Sequence, residues 1–175
     1  MGHIHTNVVE YDFTVGAYII RKSPKGYEAL LHLHKKLGKW LPFGGHIELN
    51  ETPWQAVIRE IKEESGYESN QLQIIQPQDT ISSLSDISVL PQPVFIASYD
   101  YDAEHNHTDI AYAFLVDIDP PGATLIDESS DFRWFDSKSL ANLSPEEIFS
   151  NTVEVYDYVL KVLDRNWLTQ AVPRT

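Results

Sequence analysis

The 175-residue chain contains no cysteine. Disulfide stapling, thiolate catalysis and cysteine-ligated zinc are thereby excluded. Basic residues are scarce: 13 Lys and Arg stand against 26 Asp and Glu, a formal net charge of -13. Such a surface repels a polyphosphate backbone at long range, so duplex nucleic acid is not an expected partner. Long apolar runs are missing too, each being broken by charge or proline well short of the roughly 18 residues a membrane-spanning helix needs. Residues 1–12 carry histidines and acids instead of an apolar leader, so no secretory signal and a cytoplasmic location are expected. What is present is a hydrophobic content of 42%, enough to bury one core, and a single domain over 1–175 is the expectation.

An acidic enzyme can still handle small anionic substrates when divalent cations stand between its carboxylates and the phosphates, because the metal reverses the local field. The net charge therefore favours metal-mediated binding over a basic groove.

Strand-like runs lie at 14–20, 28–34 and 40–43, with Ser23-Pro24-Lys25-Gly26 as a hairpin turn between the first two. A helix follows: Thr52 is its N-cap, Pro53 its first residue, Gln55 completes a capping box and Gly66 terminates it. Its apolar stripe is Trp54, Val57, Ile58 and Ile61. Further strands are predicted at 72–76, 94–99, 110–118 and 132–135, with loops at 77–93 and 100–109. A second capping signature, Ser144-Pro145-Glu146-Glu147, predicts a closing helix over about 145–165, interrupted near Asn151. Mixed strands with one helix in the middle and one at the end imply an α+β fold, an α/β/α sandwich around a mixed sheet.

The chemistry concentrates in 45–67. At roughly 100° per residue, Glu60, Glu63 and Glu64 are neighbours at i, i+3 and i+4, expected to turn away from the apolar stripe. Three like charges so close destabilise a bare helix, and a hard divalent cation such as Mg²⁺, which prefers carboxylate oxygens and shares its shell with substrate phosphates, answers that repulsion. Gly44-Gly45 allows backbone conformations that could turn a carbonyl toward the metal. An isolated Arg-Glu-Ile-Lys-Glu-Glu string is usually no more than a solvated helix face. Here Gly45, Glu51, Arg59, Glu60, Glu63, Glu64 and Gly66 hold a fixed spacing whose chance is on the order of one in a billion per start position.

That spacing resembles the Nudix box, G-x5-E-x7-R-E-U-x-E-E-x-G-U with U a bulky aliphatic, and every specific position matches. Ile61 fits the first U, while Tyr67 is aromatic at the second, a packing position. The resemblance implies the Nudix sandwich fold and a catalytic set of Glu51, Arg59, Glu60 and Glu63. Glu60, Glu63 and Glu64, helped by the Gly44 carbonyl, would bind Mg²⁺ or Mn²⁺. The residue matching Glu60 serves as general base in some relatives, whereas in others the base lies outside the box. Arg59 and Glu51 look like a positioning pair. The reaction implied is attack of water on a phosphorus of a nucleoside diphosphate linked to another moiety, driven by positioning and charge neutralisation. Many relatives are dimers, so a homodimer is compatible with it.

Outside the box, Lys39 is a candidate for a substrate phosphate. His107 and Asp109, with His105 beside them, lie in the region that lines the base or sugar pocket in relatives, and are candidate substrate-binding residues. Asp127, Glu128 and Asp131 read as an acidic surface loop. His32, His34 and His46 share no ligand spacing, so zinc is not expected among them. Trp134 and Phe135 read as core. Two other functions compete with the hydrolase. A Nudix-fold prenyl diphosphate isomerase relies on a cysteine, which is absent here. A non-catalytic nucleotide-sensing module would be expected to lose box carboxylates, and none is lost. The position about 16 residues past the box, which marks some subfamilies, is Ser83 and selects no substrate among nucleoside triphosphates, ADP-ribose, nucleotide sugars and dinucleoside polyphosphates.

Overall fold

The computed structural model describes residues 11–100, 106–124, 131–163 and 167–173. Strand β1 (Tyr11–Ser23) is its spine. It forms an antiparallel hairpin with β2 (Gly26–His34), closed at Ser23 and Gly26, and pairs in parallel along its length with β7 (Asn106–Val116). Further strands are β3 (Lys39–Leu41), β4 (Phe43–His46), β5 (Gln73–Pro77), β6 (Phe95–Asp100), β8 (Phe132–Asp136) and β9 (Trp167–Ala171). The sheet runs β3-β2-β1-β7-β5-β9, with β4 also on β1, β6 on β7 and β8 on β2.

Successive residues of β1 point to opposite faces, and both are covered. Val15, Ala17 and Ile19 pack with Tyr112 and Phe114 of β7 beneath helix α1 (Pro53–Ser65), which contributes Trp54, Val57 and Ile61. Tyr18 and Ile20 pack on the other face with Leu140 of α2 (Ser137–Ala141) and with Tyr156 and Val159 of α3 (Ser150–Leu163). Tyr156 also donates its hydroxyl to the Leu30 carbonyl at 2.7 Å. Helices on both faces of a mixed sheet make the α+β sandwich. A strand buried on both sides reads as a continuous apolar run, which is why β1 is legible in the sequence.

Several boundaries differ from the sequence expectation. Residues 106–109, expected in a loop, are strand, because Tyr11–Thr14 of β1 offer them partners in register. The predicted 40–43 strand is two strands divided at Pro42, which has no N–H to give a ladder. The closing helix does not start at 145. Ser144 and Glu147 close one turn on themselves, Ser144 N–H to Glu147 Oε2 at 2.9 Å and Glu147 N–H to the Ser144 carbonyl at 2.9 Å. Trp40 then donates to the Glu147 carbonyl at 2.7 Å, and Ile148 is drawn into the core beside it. Tertiary pairing thus consumes the backbone groups that helix propagation would have used, and α3 starts only at Ser150. Helix α2, strand β9 and a 3₁₀ turn at Ser69–Gln71 escaped the sequence reading. They are too short for periodicity to register.

His32 on β2 is 2% exposed and packs on the Phe43 ring at 5.0 Å between centroids. Burial, with His34 beside it, pushes its pKa down to about 4 from 6.5. The unfolded chain takes up this proton as pH falls through 6.5, and the folded chain does not until about 4. Stability from this site is therefore full above pH 6.5 and is lost on acidification, by roughly 3 kcal/mol at the lower end. Melting temperatures recorded from pH 7 down to 4.5 should fall more steeply for wild type than for His32→Leu. Equal slopes would remove His32 as the cause.

Candidate active site

Helix α1 begins as its sequence requires. Gln55 N–H donates to Thr52 Oγ1 at 3.2 Å and Thr52 N–H to Gln55 Oε1 at 2.9 Å, while Gly66 caps the far end in the left-handed conformation. The expectation that its three carboxylates turn away from the apolar stripe is not met. Glu60 is 2% exposed and Glu64 6%, and only Glu63 reaches solvent, with a side chain 28% exposed. The geometry explains this: Glu64 lies seven residues past Val57, nearly two turns of roughly 3.6 residues, and so returns to the buried side. Burying Trp54, Val57 and Ile61 contributes about 5–9 kcal/mol as an upper bound. Repulsion between neighbouring exposed carboxylates costs only a few tenths of a kcal/mol per pair, so packing fixes the helix in place and the charges follow it.

The buried carboxylates face β4. Gly44 donates its N–H to Glu64 Oε2 at 2.8 Å. Its φ of 150° is unfavourable for side chains, and a Cβ there would collide with the Val15 carbonyl of the adjacent strand. At Gly45 a Cβ would occupy the place of the Glu60 carboxylate. Gly44 thus lets β4 lie close on β1, and Gly45 lets the same strand lie directly against the Glu60 carboxylate.

Arg59 joins the group together. Its Nε and Nη2 grip Glu51 at 3.1 and 2.7 Å, its Nη1 reaches Glu60 Oε1 at 2.7 Å and Glu63 Oε2 at 3.2 Å, and Nη2 also donates to the His46 carbonyl at 3.0 Å. Glu51 in turn accepts the Glu48 N–H at 2.9 Å. Burial raises the Glu51 pKa, but the Arg59 and Glu48 hydrogen bonds outweigh it and hold the carboxyl below its ordinary value. Glu51 reciprocally raises Arg59. The pairing of Arg59 with Glu51 is present, and Arg59 additionally supplies part of the counter-charge that sequence reasoning gave wholly to a metal. Tyr67 is 1% exposed and donates to the Ile118 carbonyl at 2.6 Å, a bond no aliphatic residue could make.

The other candidates lie elsewhere. Lys39 donates to the Pro145 carbonyl and sits 4.9 Å above the Phe149 ring. Asp109 accepts from Thr14 Oγ1 at 3.0 Å, and its carboxyl is raised by burial, which that bond only partly offsets. His107 is 5% exposed with the Tyr99 hydroxyl 3.3 Å from Nδ1. Phe135 is core, and Trp134 is half-buried beneath Arg21, donating to Asp119 at 2.8 Å. Asp131 is exposed, while His105, Asp127 and Glu128 lie outside the described residues. Sequence reasoning missed Asp12 and Thr14, buried polar residues on β1; polar residues alternating with Phe13 and Val15 read as an exposed face, so no local signal marked them.

A sequence model of the NUDIX domain matches residues 11–157. The chain belongs to the Nudix hydrolase family. A NUDIX-family hydrolase from Clostridium perfringens is 32% identical with a TM-score of 0.71, the match covering 89% of this chain and 99% of that one. The NUDIX domain of Shewanella oneidensis NrtR, crystallised with ADP ribose, superposes with a TM-score of 0.65 at 16% identity, over 88% of this chain and 89% of that one. The Caenorhabditis elegans Ap4A hydrolase does so at 0.60 and 21% identity, over 89% and 98%. At these two identities the likeness is one of fold. A nudix hydrolase of C. elegans is 35% identical over 78 residues, 43% of this chain, and the chain spans only 20% of that relative's length. In this Nudix hydrolase Arg59 joins Glu51, Glu60 and Glu63 of the box, and Glu64 accepts from the Gly44 N–H of β4.

Proposed function

We propose that this Nudix hydrolase cleaves a phosphoanhydride bond in a nucleoside diphosphate linked to another moiety, in a reaction dependent on Mg²⁺ or Mn²⁺. The observation that carries the proposal is the set of three α1 carboxylates, two of them buried, gathered against Gly44-Gly45 with one arginine among them. Enclosed carboxylates that outnumber their guanidinium partner are a donor set for a hard divalent cation. Glu60, Glu63 and Glu64 would hold it, with the Gly44 carbonyl as a further oxygen. When bound, the cation neutralises phosphate charge and polarises a phosphoryl oxygen.

The protein's part is positioning. Arg59, anchored on Glu51, fixes the Glu60 and Glu63 carboxylates and the loop leading into the helix. The oxygen of water bonds to phosphorus, the anhydride P–O bond breaks, and the phosphate departs with the bridging oxygen. The water's proton passes to a base, which is the residue matching Glu60 in some relatives and a residue outside the box in others. Asp109 is proposed for the substrate pocket and Lys39 for a substrate phosphate, for which Lys39 would have to release the Pro145 carbonyl. The names of structural neighbours, among them an Ap4A hydrolase and a UDP-X diphosphatase, support a nucleotide-type substrate.

The test is chromatographic detection of nucleotide and phosphomonoester products from nucleoside triphosphates, ADP-ribose, nucleotide sugars and dinucleoside polyphosphates, with Mg²⁺ or Mn²⁺ and with chelator. Metal-dependent turnover of one class is expected. Absence of turnover combined with a nucleotide-induced rise in melting temperature would instead favour the non-catalytic sensing module.

A further inference from the structure

The end of the sheet holds a second group of metal-type donors, separate from the α1 carboxylates. Asp12 on β1, His46 on β4 and His107 on β7 each offer a ligand atom, and the three atoms lie within 4.8 Å of one another. The strand register brings them together. Asp12 stands opposite His107 in the parallel β1–β7 pair, and β4 flanks β1 on its other edge, with His46 opposite Thr14. The His46 and His107 rings meet edge to face at 5.3 Å between centroids.

The spacing of the donors suits a shared ion as well as an ion pair. A hydrogen-bonded Asp–His pair closes to roughly 2.7–3.2 Å, whereas two ligands about 2.0–2.1 Å from one tetrahedral ion stand roughly 3.4 Å apart. His46 Nε2 is 3.7 Å from Asp12 Oδ2, close to ligand spacing and beyond a hydrogen bond. The outer partner is also in place. The Tyr99 hydroxyl engages His107 Nδ1, the kind of contact that fixes the tautomer and ring of a ligating histidine and directs Nε2 to the ion. Asp12 is 2% exposed and His107 5%, while the His46 side chain is 24% exposed, so two of the donors are buried and the third is partly open to solvent.

We infer that Asp12, His46 and His107 form a binding site for one divalent transition ion of the zinc class. Two imidazoles and one carboxylate suit a borderline ion and leave a fourth position for water, whereas the carboxylate set of α1 suits Mg²⁺. A bound ion would tie β1, β4 and β7 at their shared end. Because β4 also carries Gly44 and Gly45, the ion would hold the strand on which the α1 carboxylates rest.

The probe is Co²⁺ or Zn²⁺ alone, added to the full chain in a large excess of Mg²⁺ so that the α1 carboxylates are already occupied. Expected for wild type are one equivalent bound by calorimetry, a visible d–d band with Co²⁺ and a raised melting temperature. Glu63→Gln should keep all three. His46→Gln and His107→Gln should lose the band and weaken Zn²⁺ binding at least a hundredfold. His46 is partly exposed, so its variant tests the site even if His107→Gln is poorly folded, and circular dichroism without metal confirms that it is folded. No band and no bound equivalent in wild type would overturn the inference, as would a signal abolished by Glu63→Gln but not by His46→Gln. None of these readouts depends on turnover, so failure here leaves the hydrolase proposal untouched.

Discussion

Replacing Glu63 by Gln will lower kcat on the order of a thousandfold, equivalent to about 4 kcal/mol of transition-state stabilisation, while leaving the fold in place. Glu63 is the choice among the three carboxylates because its side chain is 28% exposed, whereas Glu60 and Glu64 are buried and their replacement would mix loss of activity with loss of packing. Glutamine keeps the length of the side chain and an oxygen for the 3.2 Å contact from Arg59. What it removes is one negative charge from a site whose proposed work is to hold a cation. Turnover should therefore fall together with Mg²⁺ affinity, so that raising Mg²⁺ recovers part of the lost rate. Circular dichroism and melting temperature should stay near wild type. Unchanged turnover at limiting Mg²⁺ would take Glu63 out of the metal shell and shift the reading toward Glu60 and Glu64 alone.

How far the sequence discloses this molecule depends on the range of the forces involved. The α1 segment is legible because its signals are local: a capping box, an apolar stripe and fixed motif spacing all lie within 45–67. Strand β1 is legible because burial on both faces writes itself as an apolar run. The ends of elements are less so. Asn106–Asp109 are polar and read as loop, yet pair with β1 from across the chain. Ser144–Glu147 read as a helix start, yet close a single turn because Trp40 claims the Glu147 carbonyl.

The site shows the same division. Motif spacing identified the carboxylates and the Arg59–Glu51 pair, but not the orientation of Glu60 and Glu64, which were read from the composition of a helix face when their angular position relative to Val57 was the informative quantity. The Asp12, His46 and His107 group was illegible for a different reason. Its members are contributed by three strands whose adjacency is set by register, and no spacing along the chain carries that information. His46 was weighed only with His32 and His34, its neighbours in sequence.

Arg59→Ala should cost both stability and turnover, and the stability loss should shrink when Mg²⁺ is added. Removing one member of a buried charged pair costs about 3–5 kcal/mol because the partner is left without compensation. Arg59 and Glu51 retain 24% and 12% side-chain exposure, so screening lowers the expected loss to about 2–3 kcal/mol, or roughly 5–10 °C in melting temperature for a chain of this size. The variant leaves two kinds of orphan. Glu60 and Glu63 remain at the proposed cation site, where Mg²⁺ can take over the neutralisation that the guanidinium provided, so Mg²⁺ should raise the melting temperature of Arg59→Ala more than that of wild type. Glu51 stands at the loop and gains nothing from the ion, which makes the recovery incomplete. Arg59→Lys should recover little more than Arg59→Ala, since an ammonium is a point donor and cannot span Glu51, Glu60 and the His46 carbonyl at once. Melting curves of the three proteins with and without Mg²⁺ decide the matter. An Arg59→Ala protein that melts within a degree of wild type would reduce the network to a surface contact, and equal Mg²⁺ shifts in all three would place the cation away from Glu60 and Glu63.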